Sequence, residues 1–194
     1  MKNIIKNTFI LTAITLVSGV LLGLVYEITK DPIAAAKEAA KVAAYQAVMA
    51  DADVFEDLEV ENADLGTGCD INGVVAAKAG SEAKGYVITT TTHEGYGGDI
   101  QLSVGIANDG TVTGVEILSI GETAGLGMNA DTPEFKAQYA GKVVDAFTVT
   151  KTGASADNEI DAISGATITT SAVTNAVNTA LAYFNDVLGG SANE

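Results

Sequence analysis

Ile100-Gln-Leu-Ser-Val-Gly-Ile-Ala-Asn108-Asp109-Gly110-Thr-Val-Thr-Gly-Val-Glu-Ile-Leu-Ser-Ile120 reads as two strand-forming runs joined by a tight turn. Asn-Asp-Gly tolerates the positive φ that a hairpin demands, so Ile100 to Ala107 and Val112 to Ile120 pair antiparallel. Outward from this hairpin, Gly73 to Ala79, Tyr86 to Thr92 and Val143 to Thr150 show the same texture of β-branched residues broken by glycine, and each suits a strand. Helical stretches flank the strands on both sides. The expected fold class is α+β: a single N-terminal transmembrane helix, then a domain with a twisted, largely antiparallel sheet flanked by helices. No period of about 20 to 50 residues marks a repeat architecture.

The C-terminal helix announces itself by apolar residues at Val173, Val177, Ala180, Leu181, Phe184, Val187 and Leu188, one helical face that Gly189 and Gly190 end. Just before it runs Asp161-Ala-Ile-Ser164-Gly165-Ala166-Thr167-Ile-Thr-Thr170. Glycine at 165 permits a positive φ or a close approach, and its neighbours are small. Thr169, Thr170 or Ser171 can each cap the helix, which would leave Thr167 just ahead of unpaired N–H groups and a positive dipole end, where a phosphate is stabilised. The same turn is also readable as an ordinary N-terminal cap. Local physics leaves both readings open.

At the other end, Asn7 to Tyr26 is an uncharged, mostly apolar run, about 30 Å long as a helix and so matched to a bilayer core. A cleaved signal peptide is the competing reading, with Lys2 and Lys6 ahead of the run and Ala34-Ala35-Ala36 as a cleavage site; against it, the run is long for a signal and the alanines lie well past its end. Two lysines and no acid precede the run, whereas eight lysines and all 25 acids follow Tyr26, a split of +2 against −17 within a net charge of −15. The positive-inside rule then places the N-terminus in the cytoplasm and the bulk of the chain outside, in the extracellular or periplasmic space. Thr8, Thr12, Thr15, Gly19 and Gly23 recur along one side of the span, a stripe that suits a packed neighbour helix or simply reflects membrane-helix composition.

Asp31 and Pro32 read as the cap and first residue of a second, alanine-rich helix. Asp51 to Asp64 reads as an acidic, half-buried surface segment. The expected organisation is a tip and span over 1–29, a stalk and acidic segment over 30–65, and a binding domain over 66–194. An acidic chain with no arginine offers no basic patch, so nucleic acid is not an expected partner. One cysteine, Cys69, makes neither an internal disulfide nor a cluster site, and one histidine, His93, makes a poor metal centre. No catalytic group or metal site is therefore expected, and any redox chemistry must come from a carried cofactor. Lys142 reads as a solvated lysine at a strand start.

Three motifs in order carry a family resemblance: Gly85-Tyr-Val-Ile88 leading to Gly95-Tyr96-Gly97-Gly98-Asp99-Ile100; Glu122-Thr123-Ala124-Gly125-Leu126-Gly127; and Asp161 to Thr170. Together they resemble the FMN-binding domain shared by the G subunit of Rnf complexes and the C subunit of Na+-translocating NADH:quinone reductases. The resemblance implies FMN esterified through its phosphate to Thr167 by a separate flavin transferase, with Asp161 helping that enzyme recognise the motif. It also implies a phosphate-side turn of Ser164, Gly165 and Ala166, and a ring pocket from Tyr96, Gly97, Glu122, Thr123, Gly125 and Leu126. Ala124 departs from the family's usual proline. The function implied is a membrane-anchored electron carrier inside an ion-translocating ferredoxin:NAD+ oxidoreductase, with the other membrane subunits of the Rnf complex as partners and no substrate turnover of its own. A component like the quinone reductase's C subunit and a solitary exterior flavoprotein are the redox alternatives; a pilin-like structural protein is the distant one, lacking an acid early in the apolar run.

Overall fold

The computed structural model describes residues 1–61 and 65–189. It divides into two units, Met1–Lys41 and Val42–Glu194. The first is helical from Lys2 onward. Helix α1, Lys2–Val48, begins in it and ends in the second unit. It is long and apolar enough to cross a membrane, and none of its most apolar window is buried. Thr8 and Thr12 return their hydroxyls to the carbonyls of Ile4 and Thr8, each at 2.9 Å, so these polar side chains bring no unmet hydrogen bond into an apolar medium. The new helix expected at Asp31 does not form: Pro32 lies inside α1. Proline gives up one backbone bond there, and the alanine-rich sequence on its C-terminal side carries the helix past it.

The second unit is built on a five-stranded antiparallel sheet in the order β1-β2-β3-β4-β5. Its strands are β1 Val54–Leu58, β2 Cys69–Ala79, β3 Glu82–Thr92, β4 Ile100–Ala107 and β5 Val112–Ile120. The hairpin read from Asn108-Asp109-Gly110 joins β4 to β5, with Gly110 at φ +83. The acidic segment holds an unexpected strand: Val54 to Leu58 pairs with Val74 to Lys78 at the sheet edge, while Asp64, the segment's other end, lies outside the described residues. Five residues with four side chains exposed carry too little buried pattern to announce a strand. Val143 to Thr150 is shorter than expected. Only β6, Thr148–Thr150, is strand, and it pairs in parallel with β7, Glu159–Asp161.

Alternation along the strands sends side chains into two cores. Val74, Ile88, Leu102 and Val104 meet helix α3, Thr167–Asp186, through Val173, Val177 and Leu181. Val75, Ala77 and Val87 point the other way and are covered by Tyr45, Val48, Met49 and Ala52 at and just beyond the end of α1. Burying Val48 and Met49 stabilises this second layer by about 1.5–3 kcal/mol each. Their approach depends on Gly105, where a Cβ would overlap the Val48 carbonyl and the Thr113 hydroxyl, which itself donates to that carbonyl. Helix α3 closes at Val187, and Gly189 follows at φ +66; Gly190 lies outside the described residues. A four-residue helix α2, Pro133–Lys136, and the 3-10 turn before it, Gly127–Asp131, go beyond the elements expected from sequence.

Candidate flavin cleft

Three segments far apart in the chain form the two walls of an open cleft of about 480 Å³. Gly165, Ala166, Thr167, Ile168 and Thr169 form one wall; Tyr96, Glu122, Thr123, Leu126 and Gly127 form the other.

The first wall starts at β7. After Asp161 the chain turns through Gly165 at φ +78, and α3 begins at Thr167 with Ala166 as its N-cap. Thr167 is thus the first residue of the helix rather than one ahead of it, and none of Thr169, Thr170 or Ser171 is the cap. The reason lies in Thr170: inside the helix its hydroxyl donates to the Ala166 carbonyl and accepts the Ile163 amide, each at 3.0 Å, tying the turn shut from within. No side chain caps the helix, and an alanine at that position offers no acceptor. The first-turn amides and the positive end of a 20-residue helix are left for an outside anion, next to the Thr167 hydroxyl.

The second wall follows β5. Glu122, 8% exposed, accepts the Gly97 amide on Oε1 at 3.1 Å and so ties the 95–98 loop to the 121–127 loop. Glycine is required where the walls converge: a Cβ on Gly127 would lie 2.6 Å from Glu122 Oε2 and 2.7 Å from Thr169 Oγ1. On Gly165 a Cβ would lie 3.3 Å from Leu126 Cδ2. The turn at Ala124 closes without the family's proline, since Leu126 and Met128 both donate their amides to the Thr123 carbonyl, at 3.1 and 3.2 Å. The rim is apolar and open, with Tyr96 74%, Ile168 55% and Leu126 44% exposed.

Of the residues singled out by resemblance, Thr167, Gly165, Ala166, Glu122, Thr123, Leu126 and Tyr96 line the cleft. Gly97 stands behind Glu122, Gly125 turns the loop at φ +75, and Ser164 is exposed beside the turn. Asp161 is also outside the cleft; its Oδ1 accepts the Ala154 amide at 2.6 Å. Gly127, Ile168 and Thr169 were missed as site residues. Gly127 stood in the glycine motif and Ile168 was legible as an apolar residue off the buried stripe of α3, whereas Thr169, 1% exposed, was marked only as a candidate cap. Lys142 is away from the cleft, its ammonium 5.9 Å from the Phe147 ring centroid. His93 bonds Asp99 at 2.8 Å and Asp70 at 3.1 Å, bracing the base of the loop that carries Tyr96.

Comparison with known proteins gives the cleft a context. Residues 95–182 match the family model described as an FMN-binding domain, and residues 1–48 match that of the RnfG N-terminal region. The chain is 35% identical to the G subunit of the proton-translocating ferredoxin:NAD(+) oxidoreductase complex of Clostridium ljungdahlii, over 93% of this chain and 91% of that one. It is 31% identical to the G subunit of the Na(+)-translocating ferredoxin:NAD(+) oxidoreductase complex of Acetobacterium woodii, over 96% and 94%. The G subunit of the ion-translocating oxidoreductase complex of Methanosarcina acetivorans is 32% identical, over 94% and 95%. Among solved structures, the C subunit of the Na(+)-translocating NADH-quinone reductase from Parabacteroides distasonis shares the fold, with a TM-score of 0.54 and 22% identity over 72% of this chain and 79% of that one.

Proposed function

The chain belongs to the family of G subunits of ion-translocating oxidoreductase complexes, and from that membership and its cleft we propose a membrane-anchored electron carrier with covalently held FMN. Helix α1 is the anchor. The lysines before the span and the acid excess after it favour a cytoplasmic N-terminus and an exterior flavin domain. The partners are the other membrane subunits of an Rnf-type ferredoxin:NAD+ oxidoreductase and, during maturation, a flavin transferase. Thr167 is the attachment residue, with Asp161 as part of the segment that the transferase reads.

The observation that carries this reading is the pairing of an uncapped helix start, bearing Thr167, with an apolar-rimmed cleft. The two halves suit the two halves of FMN. Thr167 to Thr169 present amides and a hydroxyl to a phosphate, while Thr123, Leu126 and Tyr96 flank a flat ring. When bound, FMN supplies electron transfer in single-electron steps. The chain's own part is to fix the ring's position, keep its faces partly dry through the apolar rim, and prevent loss of the cofactor.

Intact-mass measurement after co-expression with a flavin transferase tests the reading. The expected mass gain is one FMN less one water, confined to the peptide containing Thr167. A gain mapped to another residue contradicts the assignment.

A further inference from the structure

We propose that Gln138 is a positioning residue that holds the attachment segment in register for flavin transfer; the proposal rests on the Thr167 reading. Among the described residues, strand β7 has a sheet neighbour on only one side, β6. On the other side a side chain takes the neighbour's place. The Asp161 amide donates to Gln138 Oε1 at 2.7 Å, and Gln138 Nε2 reaches the Asp161 carbonyl at 3.5 Å. One glutamine thus answers both backbone groups of a single residue, as an adjacent strand would.

Gln138 is itself firmly placed. Phe135 and Tyr139 in the same segment are 5% and 0% exposed, and the Tyr139 hydroxyl meets Thr174 Oγ1 on α3 at 2.8 Å. Two residues earlier, Lys136 binds both Glu116 carboxylate oxygens at 2.9 Å and Asp131 at 3.0 Å, fastening the segment to β5. The segment from Gly127 to Tyr139 therefore begins in one wall of the cleft and ends beside the residue that opens the other. From Ala162 onward the bracing bonds are internal to the motif or come from β6: Ala162 donates to Thr150, Ile163 to the Thr170 hydroxyl, and Ala166 to Ile163. Beside the Tyr139 bond to α3, Gln138 is the side chain of this segment that bonds the backbone where the motif opens, setting the braced turn against Leu126 and Gly127.

Attachment exchanges one phosphorus–oxygen bond for another without redox change. The Thr167 oxygen bonds to the FMN phosphorus of a flavin dinucleotide, the anhydride bond breaks, the nucleoside monophosphate leaves, and the hydroxyl proton passes to solvent. Misplacing the turn lowers the rate of that step more than it weakens dinucleotide binding, because geometry is demanded at the reacting oxygen.

The test uses the full chain in detergent with a purified flavin transferase and flavin adenine dinucleotide, followed by in-gel fluorescence, with amide exchange at Asp161 read in the unloaded protein. Gln138→Leu is expected to slow flavin incorporation about tenfold, the equivalent of one lost hydrogen bond, with KM for the dinucleotide unchanged. Its Asp161 amide exchanges faster. Gln138→Glu keeps the acceptor and restores most of both signals. Wild-type incorporation by Gln138→Leu, or failure of Gln138→Glu to recover, overturns the proposal. Thr167→Ala is the separate control: undiminished incorporation there removes the attachment reading itself, whatever Gln138 does.

Discussion

Glu122 and Gly127 show how much of the cleft depends on single side chains. The carboxylate braces the 95–98 loop, and the missing Cβ at 127 leaves room for both Glu122 Oε2 and Thr169 Oγ1. Gly127→Ala is therefore expected to cost about 1–3 kcal/mol by overpacking, read as a lower thermal midpoint, and to lower the amount of flavin incorporated per protein in the same preparation. His93 gives a pH signature. Its bond to Asp99 and then its bond to Asp70 hold its pKa above the ordinary histidine value. A raised folded-state pKa means that the stabilisation is complete below the ordinary value, about 6.5, and is lost as pH climbs through the raised one. Amide exchange in residues 93–99 should accelerate over that rise, and His93→Gln should flatten the dependence; because the ring is exposed, the effect is local and small. At this scale the sequence was legible where chemistry is unusual. Thr167 and the glycines stood out, whereas Thr169 and Gln138 look like ordinary residues until the tertiary fold brings their partners to them.

Among elements, those with strong local signals were legible and those held by others were not. The hairpin at Asn108-Asp109-Gly110 and the stripe of α3 carry their own turn chemistry and period. Strand β1 has little buried face, β7 is three residues long, and α2 is too short for any period, although Thr132-Pro133 is a legible helix start. The start of α3 differs from expectation because three candidate caps follow Gly165 and none caps, while Thr170 ties the preceding turn from inside the helix. Pro32 misleads for the opposite reason, being a start signal that the surrounding helix overrides. The close seat of α1 on β4 gives the clearest element-scale prediction. Gly105→Ala should lower unfolding free energy by about 1–3 kcal/mol in denaturant titrations, since the Val48 backbone must move as well as the Thr113 hydroxyl. An unchanged transition would mean that the end of α1 does not pack there.

For the whole molecule, the boundary of the folded unit falls at Val42, inside α1, rather than in a linker. A chain beginning at residue 42 retains Tyr45, Val48, Met49 and β1, and is expected to fold with a cooperative melt. One beginning at residue 66 uncovers Val75, Ala77 and Val87 and is expected to aggregate. Equal solubility of the two would contradict the second core. The anchor, charge split and motif order were legible because each is a property of sequence alone, while the convergence of Tyr96, residues 122–127 and residues 165–169 on one cleft is a property of the tertiary fold, which brings together segments distant in the chain. The central claim is that the Thr167 oxygen carries the flavin. On a denaturing gel viewed under ultraviolet light, after co-expression with a flavin transferase, the wild-type band should fluoresce and the Thr167→Ala band should be dark; a mutant band as bright as the wild type, or no fluorescence in either, would contradict it.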